Sequence, residues 1–96
     1  MDQGKQATLR AEFDKELHEL ILLVSQGRSE DTIDRKLKEL LTRFGPHENN
    51  LPPDGYGLLY DVEHLLMGIN RKEGIISDYF EYQFKHKDPS REAGAP

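Results

Sequence analysis

The chain has 96 residues, no cysteine, 32% charged side chains and a formal net charge of -5. Such a length makes one thin-cored domain, the lack of cysteine excludes disulfides and thiolate metal sites, and the acidic balance speaks against a nucleic-acid binder, which carries a basic stripe. Hydrophobic residues make up only 35% of the chain, yet their clear periodicity favours a small helical domain over disorder.

The N-terminal Met1-Asp2-Gln3-Gly4-Lys5-Gln6 lacks the apolar core of a signal peptide. The longest apolar run, Leu20 to Val24, is far too short for a bilayer. The expectation is a cytoplasmic protein with no membrane contact.

A first helix is predicted over residues 8–26, with Thr8 as N-cap and Gly27 as a left-handed terminator. Leu9, Phe13, Leu17, Leu20, Ile21 and Val24 recur at spacings of three and four, which puts them on one face. Leu22 and Leu23 widen the stripe near its end. The short Gly27-Arg28 link then makes an antiparallel hairpin with a second helix. In that helix Ser29 is a good N-cap, and Glu30, Asp31 and Asp34 place negative charge at the positive end of the dipole. Ile33, Leu37, Leu40, Leu41 and Phe44 form its buried face, and Gly45-Pro46 ends it.

From Gly45 to Gly55 the sequence predicts a loop longer than the roughly two to eight residues usual between bundle helices. Pro52 and Pro53 stiffen it toward an extended form, and Leu51 is expected to pin it to the core. A third helix is predicted over residues 56–69, burying Leu58, Leu59, Val62, Leu65, Leu66 and Ile69. Gly68 or Asn70 marks its end, and Asn70-Arg71-Lys72-Glu73 fits a capping box for the next element.

That last element, residues 71–86, carries Ile76, Phe80 and Phe84 at helical spacing, with Tyr79 and Gln83 beside them. Residues 80–85 also alternate as a strand would. A lone strand needs a partner and no second one is visible, so helix is preferred. Residues 87–96 are polar, hold two prolines and read as a mobile tail. The expected architecture is an all-α, four-helix bundle in one domain of residues 1–96, structured over 8–86.

Chemistry-bearing patterns are sparse. Asp61 with His64, and Asp14 with His18, have the spacing of helical metal ligands, but a bundle site needs several such pairs converging from facing helices. Glu63-His64 starts a zinc-protease pattern whose second histidine is missing. None of Ser25, Ser29, Ser77 or Ser90 sits in a glycine-framed nucleophile turn, and Gly55-Tyr56-Gly57 lacks the rest of a phosphate loop. The reading is a non-enzyme with no cofactor and no metal.

The most informative feature is an absence: between Arg43 and Arg71 there is no lysine or arginine. The solvent side of that stretch offers acids and tyrosines, which suit a cationic protein partner and repel nucleic acid. Asp54, Tyr56, Tyr60, Asp61 and Glu63 are the candidate partner-binding residues. Tyr60 is the proposed aromatic anchor, and the carboxylates steer and pair.

In this layout the chain resembles the small bacterial immunity proteins that neutralise nuclease toxins of the colicin and contact-dependent growth-inhibition types. These too are short, acidic, cysteine-free helical bundles. Pro53-Asp54-Gly55-Tyr56-Gly57-Leu58-Leu59-Tyr60 is similar to the glycine-and-tyrosine motif that colicin immunity proteins carry after a long loop, although here the tyrosines are separated and no proline closes the motif. The contact-dependent type asks less of that motif and matches better. The resemblance implies a cytoplasmic inhibitor, monomeric or weakly dimeric, of a basic toxin domain. The alternative from the residues themselves is a small structural or adaptor subunit of a homo-oligomer, joined through Leu22, Leu23 and Met67.

Overall fold

The computed structural model describes residues 2–86, with side chains from Thr8 onward. Four α-helices follow one another: α1 (Asp2–Ser25), α2 (Glu30–Phe44), α3 (Pro53–Leu66) and α4 (Lys72–His86). A 3-10 turn, Gly45–Asn50, links α2 to α3. Each helix packs against its two neighbours in a ring, α1 on α2 and α4, and α3 on α2 and α4. The result is the predicted all-α four-helix bundle. Among the described residues no helix is long and apolar enough to cross a membrane. The expected tail, residues 87–96, lies outside the described residues.

Both hairpin turns use the same device. Gly27 has φ +69, its amide donates to the Val24 carbonyl, and the Arg28 amide reaches back to Leu23. Gly68 has φ +81, with its amide on Leu65 and the Ile69 amide on His64. A left-handed residue thus satisfies the last carbonyls and reverses the chain, and only glycine adopts that conformation without a Cβ penalty. Ser29 caps α2 as predicted, accepting from the Thr32 amide at 3.2 Å.

Several boundaries differ from expectation. Helix α1 begins at Asp2, so Thr8 lies within it and is not its N-cap. The good helix formers Lys5, Gln6 and Ala7 carry the helix back past Thr8. The predicted loop of residues 45–55 is mostly helical. Gly45 keeps right-handed angles (φ -53, ψ -45), so the chain tightens into a 3-10 turn instead of stopping. Pro53 is then the first residue of α3, where a missing N–H costs nothing, and Pro52 is its extended N-cap (φ -60, ψ 129). Only Leu51 and Pro52 remain as linker, and Leu51 is buried as anticipated.

At the other end of α3, Ile69 is 64% exposed, not core, because the helix stops at Leu66 and Gly68 turns the chain away. The capping box does not form. The Asn70 amide is spent on the His64 carbonyl and its side chain on the Asp61 carbonyl, so Asn70 closes α3 instead of opening α4. Helix, not strand, holds over residues 80–85, but with a different face inward. Ile75, Tyr79 and Tyr82 are buried, whereas Phe80 and Phe84 are 63% and 70% exposed. The two stripes are one position apart in register, and hydrophobicity alone favours the phenylalanines. Tyrosine wins because each buried hydroxyl has a polar partner on α1. Tyr82 donates to Asp14 at 2.6 Å, and the Tyr79 hydroxyl lies 2.9 Å from His18 Nδ1.

The core runs through Phe13, Leu17, Leu20 and Val24 of α1, Leu37, Leu40 and Phe44 of α2, and Leu58, Leu59 and Val62 of α3. Phe13 meets Phe44 edge-on at 5.3 Å and stacks on Tyr56 at 6.4 Å. Across the α1–α2 seam, Lys36 bonds to Glu16 and Glu19, and Arg43 reaches Glu12 at 2.7 Å. Burial works against the Lys36 charge, but Glu16 and Glu19 outweigh it and hold the ammonium well above the usual lysine range.

Candidate functional site

The expected contact residues do not share one face. Tyr56 is a correction: it is buried, with its ring between Phe13 and Tyr60, and belongs to the core. Tyr60 is 43% exposed and packs edge-on against Tyr56 at 5.6 Å. Glu63 is exposed, and it follows Tyr56 and Tyr60 at the i+7 and i+3 positions of one stripe. Asp54 and Asp61, seven residues apart, form a different stripe that faces α4.

There they meet acids that the sequence reading did not single out. An open groove of about 310 Å³ runs between α3 and α4, walled by Asp54 and Asp61 on one side and by Asp78 and Glu81 on the other. Gly57 and Leu58 form part of its floor. Asp78 and Glu81 are one turn apart on α4, and that spacing was visible. They escaped notice because they lie beyond Arg71, outside the cation-free window, among Lys72 and Lys85.

Two basic side chains, Lys85 and His86, serve the groove's lower end. Lys85 pairs with Glu81 at 3.4 Å, and His86 Nε2 lies 2.9 and 3.1 Å from the two Asp54 carboxylate oxygens. Burial raises the Asp54 carboxyl, but the His86 hydrogen bond and charge, together with backbone amides, outweigh it and hold the group below the ordinary carboxylate range. At the upper end the balance is opposite. Asp61 is half-buried, and burial first, then the charge of Asp78, push its carboxyl above the ordinary range, with His64 offsetting only part. Among the described residues neither Asp61 nor Asp78 joins an ion pair.

Gly57 adds to this picture. A glycine inside a helix costs roughly 1 kcal/mol relative to alanine, and a Cβ at Gly57 would meet nothing within 4 Å. No packing constraint inside the bundle requires a glycine there; its effect is to keep the groove floor open.

Of the residues weighed as metal ligands, Asp14 and His18 are engaged elsewhere. Asp14 accepts from Arg10 at 3.1 Å and from Tyr82, and His18 pairs with Tyr79. Gln83 also donates to the Tyr79 hydroxyl, at 3.1 Å. Burial and the Asp14 charge push the Tyr79 phenol up to about 12. Among the described residues no three His, Asp or Glu side chains converge as metal ligands would.

Comparison with protein-family models, with curated proteins and with solved structures finds no match. What the site can do therefore follows from its own chemistry. Open carboxylates lining a groove accept charge-assisted hydrogen bonds from a guanidinium or ammonium group, and an uncompensated pair gains most from one.

Proposed function

We propose that the protein is a non-catalytic binding module of the toxin-immunity type, which holds a basic toxin domain, a nuclease by its chemistry, through the α3–α4 groove. Cationic side chains of the partner enter the groove, and the acidic walls occupy a surface that the partner would otherwise offer to a phosphate backbone. Asp61 and Asp78 are the pairing groups, Asp54 and Glu81 extend the negative field, and Tyr60 flanks the groove's α3 wall. No cofactor is needed, and the setting is cytoplasmic.

One observation carries this reading. Asp61 faces Asp78 across the groove, and burial, then the Asp78 charge, raise the Asp61 carboxyl, with His64 offsetting only part. Among the described residues neither carboxylate joins an ion pair. Charge kept at a cost to the free protein fits a group that is compensated on binding. The short, acidic, cysteine-free layout supports the immunity assignment. The experiment is co-expression with the product of the adjacent upstream reading frame. The reading expects a stable complex and rescue of host growth from that product; growth arrest despite soluble co-expression would end it.

The second reading, a subunit of a homo-oligomer, draws on exposed apolar side chains: Met67 is 66% exposed and Leu22 41%, while Leu23 is half-buried.

A further inference from the structure

One carboxylate of the groove already has an occupant from within the chain. His86 packs on the Tyr82 ring at 4.7 Å and sets its Nε2 2.9 and 3.1 Å from the two oxygens of Asp54. A single ring nitrogen thus spans both acceptors that a guanidinium from a partner would seek. We propose that His86 is a built-in competitor for Asp54: protonated, it closes the lower end of the groove to a cationic ligand, and neutral, it opens it. This rests on the groove being the binding surface proposed above, and it adds how that surface is regulated.

The two pairs at the lower end differ in kind. Glu81 is paired with a lysine, a side-chain type that stays charged across the physiological range. Asp54 is paired with a histidine, the type that gains and loses its proton within that range. The surroundings leave Asp54 as the group that His86 answers to. Asp54 faces it from α3, and Tyr82 and the adjacent Lys85 accompany it on α4. From α1, Asp14, Lys15 and His18 line a depression shared with His86. Asp14 is taken up by Arg10 and Tyr82, and Lys15 offers no acceptor. Among the described residues Asp54 is the one acid in ion-pair reach of His86.

Exposure sets the size of the effect. The His86 and Asp54 side chains are 31% and 40% exposed, so solvent screens the pair. Freeing Asp54 from the imidazolium is then worth about three- to fivefold in affinity for a cation, the scale of a surface ion pair.

Calorimetric titration of the full chain with an acetylated, amidated hexa-arginine peptide tests this, at one ionic strength and at about pH 5.5 and about pH 7.5, where guanidinium stays charged. Asp61 and the nearby His64 bring a pH dependence of their own to every variant, so the readout is the difference between proteins. The wild-type chain is expected to tighten between the two pH values about three- to fivefold more than His86→Gln or Asp54→Asn does. His86→Gln should bind more tightly than wild type at the lower pH and match it at the higher. His86→Lys, which keeps a cation in place, should bind about three- to fivefold more weakly than wild type at the higher pH, and it stands as the test if His86→Gln does not fold. The same pH step in wild type and in His86→Gln, a His86→Lys protein that binds like wild type at the higher pH, or a wild-type chain that binds no peptide at either would each overturn the proposal. The toxin reading stands or falls separately, on co-expression: growth arrest there with gated peptide binding here would leave the gate and remove the toxin.

Discussion

The Tyr82 ring lies directly against the Cα of Gly55, so closely that a Cβ built there would stand 2.6 Å from Cε1 and 2.7 Å from Cζ. This contact fixes the spacing between α3 and α4, and with it the width of the acidic groove. Tyr82 is held from the far side by its hydrogen bond to Asp14, so it cannot yield without losing that bond. Gly55→Ala is expected to destabilise the bundle by about 1–3 kcal/mol, the range for overpacking. A denaturant titration checks it.

Gly57 should behave in the opposite way, although it is only two residues along the same helix. Its missing side chain faces open groove. Gly57→Ala is expected to stabilise the protein by roughly 0.5–1 kcal/mol through helix propensity, and to weaken partner binding by filling the groove floor. Thermal melts and a binding titration on the same sample would show the two effects diverging.

Asp61 gives a pH-dependent prediction. Its carboxyl is raised in the folded state. The folded protein therefore favours the protonated form, and above the ordinary aspartate range the ionised group lowers stability. Asp61→Asn should be the more stable protein at neutral pH, by a fraction of a kcal/mol, with the gap closing as pH falls below that range. Asp54 has the opposite sign. Its depressed carboxyl contributes stability above the unfolded aspartate value, lost as pH falls through the lower folded one. Asp54→Asn should thus be the less stable protein above the ordinary aspartate range, with the gap closing as pH falls through the lower folded value. Urea titrations across the acid range separate the two.

Lys36 is the hub of the α1–α2 seam. Its side chain is 16% exposed and that of Glu16 15%, so the pair is largely shielded from solvent. Lys36→Met removes the nearer cation of the shielded Glu16, leaving Arg43 at 4.0 Å, and should cost about 1–3 kcal/mol, whereas Lys38→Met, at an exposed Asp34 pair, should cost well under 1. Equal losses in chemical denaturation would refute the distinction.

Much of the fold was legible because helix periodicity and glycine stops are local. Ser29, Gly27, Gly68 and the α1 and α2 faces follow from rules acting within a few residues. What was not legible depends on partners distant in sequence. The inward face of α4 is chosen by Asp14 and His18, some sixty residues away, and no periodicity in α4 reveals them. Tyr56 looked like a surface residue because it lies in the cation-free stretch beside Asp54, yet Phe13 from α1 stacks on it. Half of the groove was foreseen, Asp54 and Asp61. The half on α4 needed the hairpin geometry that sets Asp78 opposite Asp61.

The central claim is that the α3–α4 groove, not net acidity, binds a cationic protein. Asp61→Asn and Glu63→Gln each remove one charge from α3, two residues apart, one in the groove and one on the other flank. Calorimetric titration of both variants with the purified upstream toxin domain, at one ionic strength, compares them directly. The account predicts that Asp61→Asn weakens binding by about tenfold or more, while Glu63→Gln changes it less than about threefold. Equal losses, or a greater loss at Glu63, would contradict it.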